Sequence, residues 1–159
     1  TGVTTACPTG EATEGSTCPE LPVTRDEMAQ FMWRSKGQPA PTATAAFEDV
    51  AVDATYTTAV DWLAEQQITL GCTTTTYCPD GTVTRAEMAA FLWRLEGSPE
   101  GSTPAGFGDV PEGVFYGAAA DWLLASGTTT GCTTTSYCPD GLVTRAEMFT
   151  FLKRLHDAA

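Results

Sequence analysis

The chain has 159 residues, enough to bury a real core and within the size range of one domain. Its 20 acidic groups against 8 basic ones leave a net charge of -12, which repels nucleic acid and anionic membrane surfaces and excludes a general polyanion binder. Six cysteines, one histidine and no Cys-x-x-Cys pair read as a disulfide framework formed in an oxidising compartment, outside the cytoplasm. No apolar run approaches the roughly 18 to 20 residues of a membrane helix, and the N-terminus lacks the charged and apolar regions of a signal peptide. No membrane insertion is expected.

In chain order, Gly2-Val3-Thr4 comes first, in register with the later Gln67-Ile68-Thr69. The first unit therefore starts just after the place of its first helix and lacks it. Val23-Thr24-Arg25-x-Glu27-Met28 follows, and the same string returns at Val83 and Val143, a spacing of 60 residues. Such recurrence is the mark of a repeat architecture. Met28, Phe31 and Met32 predict a helix with one apolar face. Phe47-x-Asp49-Val50 opens the second unit. Tyr56, Ala59, Val60 and Leu63 then fall at i, i+3, i+4 and i+7, a second helical pattern. Ile68 to Leu70 and the Thr-rich stretch after it are too short and polar for more than an extended segment and turns. Cys72 and Cys78 bound that stretch, and Met88, Phe91, Leu92 and Leu95 mark the next helix. The third unit repeats the order with Phe107-x-Asp109-Val110, Tyr116, Ala119, Ala120 and Leu123, Cys132 and Cys138, and Met148, Phe151, Leu152 and Leu155.

The expected fold is all-α: tandem helix-loop-helix repeats of 60 residues, divided as 1–46 (lacking its first helix), 47–106 and 107–159, together one domain. Three helices carry Thr-Arg-x-Glu and only two carry the Tyr pattern, so one position of any pseudo-threefold arrangement lacks its occupant. Either the chain was trimmed or another chain supplies that surface.

Thr84-Arg85-Ala86-Glu87 has the form of a capping box, with Val83 and Met88 placed as a hydrophobic staple. Each cap contributes roughly 0.5 to 2 kcal/mol and accounts for Thr, Glu, Val and Met without a ligand. The arginine is left over. A cation in the first turn opposes the helix dipole by roughly 0.3 to 1 kcal/mol, yet Arg25, Arg85 and Arg145 all stand there. Two kinds of partner could offset this: an internal carboxylate such as Asp49 or Asp109, or an anionic ligand held between repeats. All eight basic residues lie on or just after these helices. Arg34, Arg94 and Arg154 sit near helix C-termini, where a cation is favourable, as does His156. Trp33 and Trp93, toward the helix flank, suit either an inter-repeat contact or the face of a sugar ring.

The cysteines suit disulfides better than zinc, because Cys-x5-Cys with only His156 elsewhere supplies neither the spacing nor four ligands. Six cysteines allow 15 connectivities, and the repeat points to Cys7–Cys18, Cys72–Cys78 and Cys132–Cys138. The Pro79-Asp80-Gly81 and Pro139-Asp140-Gly141 turns lack the alternating carboxylates of a calcium loop. No nucleophile stands at a recognisable spacing from a base, and no Gly-rich phosphate loop is present. Neither catalysis, a metal nor a cofactor is expected.

The Phe-x-Asp-Val opening, the Tyr-x-x-Ala-x-x-Trp-Leu helix and the Val-Thr-Arg-Ala-Glu-Met-x-x-Phe-Leu helix resemble S-layer homology repeats. The short loop with Gly-Cys before it and Tyr-Cys-Pro-Asp after it resembles the actinobacterial form. The resemblance covers nearly the whole chain. It implies a pseudo-threefold helical bundle stapled by the three local disulfides, with grooves between repeats that bind secondary cell-wall polymers. Arg25, Arg85 and Arg145 would be the ligand-binding elements, with Trp62, Trp122, Asp49 and Asp109 contributing. The first unit departs from the pattern, with Glu20-Leu21-Pro22 for the Asp-Gly-x turn and Asp26 for Ala86.

The leading expectation is a non-catalytic, extracellular module at a bacterial cell surface that binds an anionic cell-wall polysaccharide and anchors a surface protein. The alternative is a self-assembling structural subunit of an S-layer or extracellular filament, whose partners are further copies of the chain.

Overall fold

A computed structural model describes residues 18–158. Five helices follow one another: α1 (Arg25–Ser35), α2 (Thr57–Glu65), α3 (Arg85–Leu95), α4 (Gly117–Ala125) and α5 (Arg145–Ala158). Among the described residues there is no strand, only three isolated bridges: Pro22 to Thr144, Thr24 to Thr82, and Thr84 to Leu142. Helix α2 packs on α1, α4 packs on α3, and α1 also touches α5.

The local chemistry of the helix starts is as expected. Thr84 Oγ1 accepts from the Glu87 N–H at 3.2 Å, while Glu87 Oε2 accepts from the Thr84 N–H at 2.9 Å. The same exchange joins Thr144 and Glu147, at 3.2 and 2.8 Å. In α1 the return bond from the Thr24 N–H to Glu27 is longer, 3.4 Å, and the Thr24 hydroxyl turns to Asp26, the residue that replaces Ala86. The staple residues Val23, Met28, Val83, Met88, Val143 and Met148 are all buried. So are Ala59, Val60 and Leu63 of α2 and Ala119, Ala120 and Leu123 of α4.

The three helix starts are joined in a closed ring of backbone hydrogen bonds. The Val23 N–H donates to the Val143 carbonyl at 2.8 Å, Val143 to Val83 at 2.9 Å, and Val83 to Val23 at 3.1 Å. Outside this ring, the Arg25 N–H donates to Gly81, Arg85 to Gly141 and Arg145 to Leu21, at 2.9, 2.8 and 2.9 Å. Leu21 can stand where the other units have glycine because the contact uses only its carbonyl. First-turn N–H groups that a helix leaves without partners are thus satisfied by the neighbouring unit's turn.

Cys72–Cys78 and Cys132–Cys138 are bonded as expected. Among the described residues these are the two disulfides found. The expected Cys7–Cys18 pair lies outside the described residues because Cys7 does. Cys18 is not a free thiol.

Candidate functional site

The first-turn arginines are among the most buried polar side chains: Arg25 is 4%, Arg85 7% and Arg145 2% exposed. Each pairs with a carboxylate, but not the one expected. Arg25 Nη1 meets Glu87 Oε1 at 3.0 Å, Arg85 Nη1 meets Glu147 Oε1 at 3.5 Å, and Arg145 Nη2 meets Glu27 Oε1 at 3.1 Å. The partner is the capping-box glutamate of the neighbouring unit, so one carboxylate both caps a helix and neutralises the cation that its neighbour's dipole disfavours.

Further contacts fix the guanidinium groups. Arg25 Nε donates to the Tyr77 carbonyl at 2.8 Å, and the Tyr77 hydroxyl donates back to the Arg25 carbonyl at 2.7 Å. The guanidinium stands over the Tyr77 and Phe91 rings at 5.0 and 5.3 Å, a cation–π arrangement. Arg85 repeats the pattern with Tyr137 and Phe151. Burial pushes both phenols well above their ordinary pKa. Arg25 Nη2 is buried with no hydrogen-bond partner among the described residues.

Asp49 and Asp109 do not pair with these arginines. Asp49 accepts from the Tyr77 and Cys78 N–H groups, both at 2.7 Å, and Asp109 does the same for Tyr137 and Cys138. They clamp the base of each cysteine loop. Burial alone would raise both carboxyl pKa values, but the backbone hydrogen bonds and the nearby Arg25 or Arg85 outweigh it and leave them lowered. A carboxyl lowered in the fold contributes stability that is fully present above its ordinary value of 3.8. That contribution is lost as pH falls through the lower folded value. In an acid titration of unfolding free energy, Asp49→Asn with Asp109→Asn will start less stable at neutral pH and lose less than the parent below this point.

Between the second and third units lies a groove of about 190 Å³. Arg85 and Arg154 bring positive charge to it, Thr130 and Thr150 bring hydroxyls, Phe151 supplies an apolar wall, and Glu147 stands at the arginine. Arg154, toward the end of its helix, also donates from Nη1 to the Thr128 carbonyl at 3.2 Å, which ties α5 to the stem of the cysteine loop. Arg94 makes the equivalent bond to Ile68 at 3.3 Å. The matching positions between the first and second units carry Leu70 and Ala90 in place of Thr130 and Thr150, so the second groove is the richer in hydroxyls. A larger cavity of about 510 Å³ near Phe107 and Val114 is lined by Glu112 and Asp121 and no cation, a poor match for an anion.

Of the residues expected in a site, Arg85 lines this groove and Trp122 and Asp109 do not. Trp62 and Trp122 are half-buried against the core; Trp122 lines a separate space of about 160 Å³ with Glu96, Ser126 and Leu155. Trp33 and Trp93 give their indole N–H groups to the Pro39 and Pro99 carbonyls, each at 2.8 Å, and so hold the linkers. Sequence reasoning did not foresee the bond from Arg154 to Thr128 and missed Thr130 and Thr150. Their departure from Leu70 and Ala90 in otherwise repeated positions was the available signal.

Comparison with known proteins agrees with this architecture. Residues 46–89 match the S-layer homology domain. The chain is also similar to endo-1,4-beta-xylanase A of Thermoanaerobacterium saccharolyticum, 36% identical over 90 residues. That similarity covers 57% of this chain and 8% of the xylanase, so the chain spans a small part of that protein's length. Of the motifs inside that match, Val83-Thr-Arg-x-Glu-Met recurs 60 residues away on both sides, and Phe47-x-Asp-Val and Asp61-Trp-Leu recur on the C-terminal side.

Proposed function

We propose that the chain is a non-catalytic module that holds a secreted protein at a bacterial cell surface by binding an anionic cell-wall polysaccharide in the groove between its second and third units. The observation that carries this reading is the meeting of Arg85 and Arg154 with the Thr130 and Thr150 hydroxyls in one open groove. On a chain of net charge -12, a local pair of cations beside hydroxyls suits a saccharide bearing acidic groups. An arriving anion would share Arg85 Nη1 with Glu147, whose 3.5 Å contact is the longest of the three pairs. The ring of helix starts supports a pseudo-threefold bundle as the frame. The xylanase similarity supports attachment to a larger protein; its activity is not transferred to this chain.

Arg154→Gln with Thr130→Leu is expected to weaken binding to purified walls by about tenfold, the loss of roughly one charge-assisted contact, while unfolding free energy changes little. Binding equal to the parent's would sink the groove reading. Replacing all three first-turn arginines would not test it, because each is buried and paired with a neighbouring unit's glutamate.

Self-assembly is the weaker reading. Helix α5 lacks, among the described residues, the covering helix that α1 and α3 have. Yet Thr150 and Lys153 are exposed where α3 has buried Ala90 and half-buried Trp93, so that face tolerates water without a neighbouring copy.

A further inference from the structure

We infer that the two cysteine-closed tips are sites of O-glycosylation, with Thr74, Thr75, Thr134 and Thr135 as the acceptors of neutral hexose units. The tips read Cys72-Thr-Thr-Thr-Thr-Tyr-Cys78 and Cys132-Thr-Thr-Thr-Ser-Tyr-Cys138, and residues 73–75 and 133–135 are exposed in both. The Thr73, Thr76 and Thr133 hydroxyls there have structural work, and Ser136 is half-buried. Thr73 Oγ1 accepts from the Thr75 and Thr76 N–H groups at 3.3 and 3.0 Å, and Thr133 Oγ1 accepts from Thr135 at 3.3 Å. The backbone is occupied as well: the Thr75 and Thr135 carbonyls accept from Glu48 and Gly108, each at 2.9 Å. The hydroxyls of Thr74, Thr75, Thr134 and Thr135 make no hydrogen bond within the described residues.

Turn geometry does not call for threonine at these four places. Glycine, asparagine, aspartate and serine suit an exposed turn better, and a β-branched side chain gains nothing where it has no surface to pack against. Both units nevertheless hold threonine there. What it offers at the end of a stiff, disulfide-closed projection is an unencumbered hydroxyl acceptor. Ser/Thr-rich stretches outside the cytoplasm are characteristic carriers of O-linked sugars, and the disulfides place the chain in such a compartment.

The step needs a transferase and an activated donor, a hexose carried on a polyprenyl phosphate. The Thr Oγ1 attacks the anomeric carbon, and the bond from that carbon to the phosphate oxygen breaks. Polyprenyl phosphate leaves with the electron pair, and the hydroxyl proton passes to a base of the transferase. Thr69, Thr128 and Thr129 are 2%, 0% and 2% exposed and stay unmodified, because a sugar there would not fit.

The inference does not depend on the groove: a chain that bound no wall would still carry the sugars. It is tested by intact mass and fragment mapping of the chain purified from the cells that secrete it, beside the same polypeptide made in a cytoplasm and oxidised. The secreted chain is expected to be heavier by whole hexose increments that map to one or more of the four threonines. The Thr74→Ala, Thr75→Ala, Thr134→Ala, Thr135→Ala variant should lose them and keep the parent's helical circular dichroism. An unshifted mass, or sugars confined to other residues, overturns the inference.

Discussion

Arg25→Ala will lower the unfolding free energy by about 3 to 5 kcal/mol, the range for removing one partner of a buried ion pair. The loss has several parts. Glu87 Oε1 and the Tyr77 carbonyl lose their donor, and two aromatic rings lose the flat cation between them. Arg25→Lys will recover only a fraction, because an ammonium cannot reproduce the fork that reaches both Tyr77 and Glu87. The stack on Tyr77 and Phe91 would also be lost. Lys153→Ala serves as a control. Its pairing with Asp157 is at the surface, so it should change stability by less than about 1 kcal/mol. Denaturant titrations of the three variants would separate these outcomes. An Arg25→Ala curve lying on the parent's would mean that the contacts of Arg25 with Glu87 and Tyr77 do not hold the fold.

Gly71→Ala is expected to cost about 2 to 3 kcal/mol, well beyond the usual effect of an added methyl group. Gly71 has a φ of +82°, and a Cβ there would lie 2.4 Å from the Thr73 carbonyl oxygen and 2.5 Å from that of Thr76. Those are backbone atoms of the loop closed by Cys72 and Cys78, and Phe47 blocks a third direction at 2.8 Å. The loop would have to open or shift. Gly97 provides the comparison: its φ is +80°, but nothing lies within 4 Å of an added Cβ. Gly97→Ala should therefore show only the left-handed backbone cost of about 1 to 2 kcal/mol. Equal losses at the two positions would mean that the loop is looser than these contacts imply.

Most of the helical frame was legible because its signals are local. A Thr-x-x-Glu cap, a staple and apolar residues three and four apart declare a helix within a dozen positions, as at Val83 to Leu95. The period of 60 residues then carried the reading from one unit to the next. The partner of Arg25 was not legible in the same way. Glu87 lies 62 residues further on, and it meets Arg25 only because the three helix starts close on one another. From the sequence Asp49 was an equally reasonable carboxylate; in the fold the Tyr77 and Cys78 N–H groups claim both its oxygens. Trp62 and Trp122 were legible as helical residues, but their place against the core depends on how α2 and α4 lean on α1 and α3. Thr130 and Thr150 matter only as members of a groove that three separate segments build.

This division gives the first-turn arginines a structural role. Their ion pairs join neighbouring units around the ring of helix starts, and Arg85 also lines the groove between the second and third units. Arg154, exposed and bonded to the Thr128 carbonyl, is the cation whose removal tests the proposed binding.

The central claim is tested most directly by sedimenting the purified, oxidised chain at moderate salt in three settings: alone, with whole cell walls, and with walls stripped of their acidic polymer. The account predicts that the chain stays in solution alone, pellets with whole walls and stays in solution with stripped ones. Pelleting alone would instead mean a self-assembling subunit, and equal pelleting with stripped walls would contradict an anionic polysaccharide as the ligand.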